Sequence, residues 1–278
     1  MTLDITPSGE ACGAAVRGVD LASPLTPDLV AQIRAAWLDH QVLAFPDQSL
    51  TDDDLERFTL AFGPFGEDPF IAPIPGRRHI IAVKRAADET SPIFAESWHS
   101  DWSFQRTPPA GTCLYGITIP PTGGDTLFAS QYKALDEMPD ALRKRIEGKN
   151  AIHSAKNAYS PQGMYGAGDK GRSMDIRPSA EAEATWTHPF IRKHPETGRE
   201  SLFGCAGYII GVEDMDPAEG WDLVTEIYRW QTRPEFQYRH RWQKDMLVMW
   251  DNRCTLHMAT GGYAGHDRLL HRTTIGAA

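Results

Sequence analysis

Cysteine is scarce, and what there is does not cluster. Cys12, Cys113, Cys205 and Cys254 lie far apart and make no CxxC pair. That excludes a zinc ribbon and a disulfide scaffold, and it leaves reduced thiols in a cytoplasmic protein as the expectation. No apolar run approaches the roughly 20 residues that a bilayer-spanning helix needs. The opening MTLDITPSGEACGAAV lacks a basic stretch followed by an apolar one, so no export signal is expected. There is no block of like charge either. The formal net charge is −9, from 28 Lys and Arg against 37 Asp and Glu. Neutralising a phosphate backbone takes clustered cations, so a nucleic-acid partner is not expected. Internal repeats and low-complexity linkers are also missing. What is present is a chain of 278 residues, 41% hydrophobic and with eight Trp, enough to bury one sizeable core and too apolar for disorder. We read residues 1–278 as a single domain.

Two early helices carry start signals. Thr26 is a candidate N-cap before Pro27 and Asp28, with Leu29, Ile33 and Trp37 at helical spacing. Thr51 precedes Asp52, Asp53 and Asp54, with Leu55, Phe58 and Phe62 as an apolar stripe and Gly63 as a stop. Later helices are expected from Pro139 to Glu147 and after Asp216-Pro217. Short apolar runs read as strands: Val42–Phe45, Ile80–Val83, Cys113–Ile119, Thr126–Ala129, Phe190–Lys193, Ser201–Phe203, Met246–Trp250 and His271–Ile275. Many short strands with few helices predict a mainly β fold with peripheral helices, a sandwich or jelly roll. From about Asn157 to Ala184 the chain is rich in Gly, Ser, Pro and Ala with little periodicity, which predicts a lid segment rather than core.

Four constellations carry chemistry. Trp98-His99-Ser100-Asp101-Trp102 sets a nitrogen and a hard oxygen ligand two apart, on one face if the strand is regular. Trp250-Asp251-Asn252-Arg253-Cys254-Thr255-Leu256-His257 follows an apolar strand and offers His257 as a third ligand. Two His and one carboxylate with open positions suit non-haem Fe(II). Alone, the first pair reads more readily as a buried His bonded to a nearby Asp, and His257 as an ordinary surface residue. Arg268 and Arg272 are four apart, so a strand puts both on one face; guanidinium forks suit carboxylates. Gly123-Gly124-Asp125-Thr126 by itself is a turn into a strand.

Taken in order, WHSDWSF, GGDTLF, HPETGRESLF, WDNRCTLH and RLLHRTTIG resemble the taurine and aryloxyalkanoate dioxygenases, over nearly the whole chain. The resemblance implies a double-stranded β-helix, Fe(II), and 2-oxoglutarate and O2 as co-substrates. It assigns His99, Asp101 and His257 to the metal, Arg268 and Thr126 to 2-oxoglutarate, and Arg272 to an anionic group on a small substrate such as an aryloxyalkanoate or sulfonate. It also implies a homodimer or homotetramer. Where the taurine branch carries His-Pro, this chain has Asp68-Pro69, which disfavours taurine. Asp68 and Trp102 are candidate pocket residues; Asp68 is equally a candidate permanent partner for Arg272. A zinc hydrolase using the same triad and a jelly-roll binding module are the alternatives.

Overall fold

The computed structural model describes residues 3–277. The chain opens with a hairpin of β1 (Asp4–Pro7) and β2 (Ala14–Arg17). Helix α1 (Pro27–His40) starts as its sequence dictates: the Thr26 hydroxyl accepts from the Leu29 N–H, and Pro27 fills the first position, where no N–H is needed. Strand β3 (Val42–Phe45) leads to α2 (Asp52–Leu60), whose Thr51 and Asp54 cap one another reciprocally. The helix ends at Leu60, short of the expected stop at Gly63.

Three strands follow, β4 (Ile81–Arg85), β5 (Gly111–Thr118) and β6 (Thr126–Ser130). Short helices α3 (Gln131–Asp136), α4 (Asp140–Ile146) and α5 (Lys156–Tyr159) bracket β7 (Asn150–Ser154). Then come β8 (Thr185–Pro189), β9 (Ile191–Lys193), β10 (Glu200–Leu202), β11 (Ile209–Val212) and α6 (Pro217–Gln231). The chain closes through β12 (Gln237–His240), β13 (Leu247–Asp251), β14 (Thr255–Ala259) and β15 (Arg268–Ile275).

Seven strands form the large sheet, in the order β1-β2-β3-β13-β5-β15-β4; β12-β6-β14 form a smaller one. Strands remote in sequence are neighbours in both, and the two layers enclose Leu114, Phe128, Val248, Trp250 and Leu270 between them. This is the expected jelly roll, the double-stranded β-helix. The large sheet is buried on both faces by simple alternation. Leu43, Phe45, Cys113, Tyr115, Leu247 and Met249 face Trp37 and Phe58 of the two helices. Their neighbours Val42, Ala44, Leu114, Val248 and Trp250 face inward. An unbroken apolar run such as Val42–Phe45 is what a strand covered on both sides needs. A separate core joins α4 and α6 to β7 and β11 through Leu142, Ala151, Ile209, Leu223 and Ile227.

The segment from Asn157 to Ala184 is more ordered than its composition implies. Tyr159, Tyr165, Met174 and Ala182 are buried against Phe70, Ile71, Trp102 and Phe104. The Ala72 N–H donates to Asp175 O at 2.9 Å and the Arg177 N–H to Phe70 O at 2.7 Å. A few widely spaced anchors do the packing, and anchors without a period leave no pattern to read. Among the described residues no helix is long and apolar enough to cross a membrane.

Candidate active site

His99 and His257 meet through their backbones. The His99 N–H donates to His257 O at 3.0 Å and the His257 N–H to His99 O at 2.8 Å, an isolated bridge at the middle of β14. β14 in turn pairs with β6, which sets His257 opposite Phe128. Asp101 does not share a regular strand with His99, as the two-residue spacing suggested. The chain turns at residues 101–104, and Trp102 takes the left-handed conformation with φ of 49°. That turn brings the carboxylate back toward both rings.

His99 donates its Nδ1–H to the Ser97 carbonyl at 2.8 Å, which leaves the Nε2 lone pair free. His99 Nε2 lies 3.7 Å and His257 Nε2 3.8 Å from Asp101 Oδ1. These gaps are too long for hydrogen bonds. They fit atoms sharing one ion, because two ligands at about 2.1 Å from a metal lie at most about 4.2 Å apart. All three ligand atoms lie within 4.8 Å of one another. Their protonation suits the task as well. Burial, then the neighbouring His99, pushes His257 down to about 3, and burial lowers His99, so both imidazoles are neutral donors. Burial alone raises Asp101; His257, Arg272, His99 and the Thr112 hydroxyl outweigh it and hold the carboxyl below its ordinary value.

The second oxygen of Asp101 is fixed by a relay. Thr112 Oγ1–H donates to Oδ2 at 2.6 Å, Asn252 Nδ2–H donates to Thr112 Oγ1 at 2.9 Å, and Trp250 Nε1–H donates to Asn252 Oδ1 at 2.9 Å. Sequence reasoning assigned none of these roles. Asn252 lies inside the quoted WDNRCTLH motif, but Thr112 carries no local signal.

A second cluster of possible ligands, His194, Asp251 and Cys254, is a structural brace. His194 Nε2–H is spent on Asp251 Oδ2 at 3.0 Å, and Nδ1 accepts from the Glu196 and Thr197 N–H groups. Arg253 takes both Asp251 oxygens, at 2.8 and 2.6 Å. With its donors and acceptors committed, the cluster pins the turn that delivers His257.

Arg268 and Arg272 point from one face of β15, as expected, and both are buried. Their surroundings differ. Arg268 donates to the Gly124 carbonyl at 3.3 Å, its Nε has no partner, and among the described residues no carboxylate pairs with it. Thr126, at the start of β6, accepts from Trp242 Nε1–H at 2.9 Å, so its own hydroxyl proton remains free to donate. Arg272 is paired: its Nη2 lies 2.6 Å from Asp68 Oδ2, and Nη1 lies 3.8 Å from Asp101 Oδ1. Trp102 is buried with its ring 5.5 Å from the Arg272 guanidinium carbon. A cavity of about 220 Å³ reaches His99 and is lined by Phe94, Tyr159, Met164, Tyr165 and Tyr208. A larger one of about 420 Å³, beside Trp37, Arg192 and Arg253, touches none of the three ligands. Tyr208, edge-on to the His99 ring at 6.2 Å, gave no sign in the sequence.

The model of the family described as "Taurine catabolism dioxygenase TauD, TfdA family" matches residues 4–274. This chain belongs to the TauD/TfdA family. It is 32% identical to an alkylsulfatase of Acinetobacter baylyi, over 95% of this chain and 81% of that protein. It is also 32% identical to the alpha-ketoglutarate-dependent 2,4-dichlorophenoxyacetate dioxygenase of Cupriavidus pinatubonensis, over 94% of this chain and 93% of that one. A taurine dioxygenase from Burkholderia xenovorans superposes with a TM-score of 0.83 at 28% identity, covering 100% of this chain and 92% of that one. AAD-2, solved with Mn(II) and N-oxalylglycine, superposes with a TM-score of 0.83 at 26% identity, covering 100% and 99%. As a TauD/TfdA protein the chain is an oxidoreductase, a 2-oxoglutarate-dependent dioxygenase with a metal site at His99, Asp101 and His257.

Proposed function

We propose that the protein uses Fe(II), 2-oxoglutarate and O2 to hydroxylate a small anionic organic molecule, an aryloxyalkanoate, sulfate ester, sulfonate or related acid. The carrying observation is a buried guanidinium, Arg268, with no carboxylate on it among the described residues, on the strand face that Arg272 also occupies. A cation so buried is costly until an anion joins it. The distal carboxylate of 2-oxoglutarate is that anion, and the free Thr126 hydroxyl proton adds a second contact. His99, Asp101 and His257 hold the iron. When bound, iron and 2-oxoglutarate supply oxygen activation coupled to decarboxylation. The protein contributes neutral imidazoles, an ionised Asp101 fixed by Thr112, and aromatic walls from Tyr159, Tyr165 and Tyr208 that keep water away from the reacting carbon. Where that carbon bears oxygen, nitrogen or sulfur, its hydroxylation cleaves the substrate.

The substrate class rests on relatives named for alkyl sulfates, sulfate esters and 2,4-dichlorophenoxyacetate, with Arg272 as the group that meets the anion. A second reading, a neutral or cationic substrate, is favoured by the Asp68 carboxylate already on Arg272. Succinate release, screened against carboxylates, sulfonates, sulfate esters and their neutral esters, tests both. Substrate-dependent succinate is expected from the intact protein and none from His257→Ala; full turnover by that variant sinks the iron assignment. Four free, buried cysteines support a cytoplasmic setting, and family analogy supports a dimer or tetramer, which sedimentation measures.

A further inference from the structure

We infer that Asp68 is an internal counter-anion that occupies the anion position on Arg272 and thereby sets the charge preference of the substrate pocket. The inference rests on the reading of Arg272 as a pocket group and goes on to say what limits it. Asp68 belongs to the loop between α2 and β4, not to the strand that carries Arg272. Its Oδ1 accepts from the Phe70 N–H at 2.8 Å and the Ile71 N–H at 2.9 Å, so the loop's own backbone aims the carboxylate. Its Oδ2 then meets Arg272 Nη2 at 2.6 Å, with the two side chains 4% and 6% exposed. This is the short, charge-assisted geometry of a committed pair.

The two arginines of β15 are therefore opposites. Among the described residues Arg268 has no carboxylate, whereas Arg272 has Asp68 at 2.6 Å and Asp101 at 3.8 Å. Arg272 Nε is left without a partner, but an anion that takes the Nη2 edge must displace a carboxylate that three donors hold, and that carboxylate stays buried after displacement. Removing one partner of a buried pair leaves an uncompensated charge, a large penalty. A neutral group pays none of it. It can lie against the pair as against a fixed dipole, with Trp102, Tyr159 and Phe70 offering apolar surface around it. Asp68 thus weakens anions selectively, whichever substrate is native.

Asp68→Asn tests this, since the amide oxygen still accepts from Phe70 and Ile71 while the charge is gone. The probes are 2,4-dichlorophenoxyacetate and its methyl ester, titrated calorimetrically into iron-loaded protein with 2-oxoglutarate under anaerobic conditions. A freed guanidinium forms a charged hydrogen bond, so the acid gains about tenfold to hundredfold in affinity, and the ester less than about threefold. An acid-to-ester ratio that is unchanged, or that moves toward the ester, overturns the inference. Asp68→Ser, whose hydroxyl keeps the turn acceptor, repeats the measurement if the Asn variant does not fold. The unaltered protein gives an independent reading: its preference for the acid is expected below about tenfold, and a preference of a hundredfold overturns the inference without any variant. Absence of succinate with every acid and ester by the unaltered protein defeats the proposed function instead, so the two failures are distinguishable.

Discussion

Arg268 and Arg272 share a strand and a face, yet only their neighbours decide what each does. The open guanidinium of Arg268 leads to a first prediction. Arg268→Ala leaves the distal carboxylate of 2-oxoglutarate unpaired, so KM for 2-oxoglutarate rises about tenfold to hundredfold, the worth of a charged hydrogen bond; an unchanged KM removes Arg268 from the site. Gly124 makes a companion test. Its φ is +70°, and an added Cβ meets Arg268 Nε at 3.2 Å, so Gly124→Ala raises the same KM by shifting the guanidinium. The relay behind Asp101 yields a second prediction. Thr112→Val deletes the donor to Oδ2 without touching a ligand. Partners of this kind tune metal affinity by about tenfold to hundredfold, and an iron titration at constant pH reads the loss. Unaltered affinity means that Asp101 is held by its turn alone.

At the scale of elements, the segment from Asn157 to Ala184 is a proposed lid, and its two halves differ. Its C-terminal half is tied down: Arg172 pairs with Asp169 at 2.5 Å, and Glu89 accepts from the Ser173 N–H at 2.9 Å. The earlier part supplies Tyr159, Met164 and Tyr165 to the cavity at His99. Hydrogen exchange over residues 157–171 is expected to slow once 2-oxoglutarate and substrate are bound. Equal protection in both states rules out a lid. What the sequence disclosed follows the same division between local and long-range order. Capped helices α1 and α2 and the apolar strands β3, β5 and β13 were legible, because caps and unbroken runs are local signals. The single-turn α5 and the largely exposed β8 were not, having no apolar period. His99, Asp101 and His257 were legible as ordered motifs. Thr112 and Tyr208 were not, since their roles arise only where distant strands come together. The pairing of Arg272 with Asp68 stood as one of two alternatives, and the loop geometry of Asp68 was needed to find it formed.

Across the whole molecule, two of the buried histidines outside the metal site, His153 and His240, make the fold resist protonation. Burial pushes His153 and His240 down to about 3 from an ordinary 6.5. Each has one ring nitrogen bonded, to the Ser103 hydroxyl and the Tyr238 hydroxyl, and each leaves Nε2 buried without a partner. A proton added there finds no acceptor, so the folded state refuses it. The unfolded chain accepts it below about pH 6.5. The folded values are the lower ones, so the unfolded state binds more protons between pH 6.5 and 3. The stability these groups contribute is thus complete above pH 6.5 and falls as pH drops through that window. Near pH 5 each histidine costs about 1.4 kcal/mol per pH unit, close to the single-proton limit. Carboxylates add their own slope, so the decisive quantity is a difference between proteins. In denaturant melts from pH 6 to 4, His153→Phe with His240→Phe is expected to flatten the stability-against-pH line by close to two protons, whatever its effect on stability at pH 8. The single variants should account for about one proton each, since their rings belong to different clusters. If the double variant loses stability with pH as steeply as the unaltered protein, the two imidazoles are already taking up protons in the fold and burial does not set the acid limit.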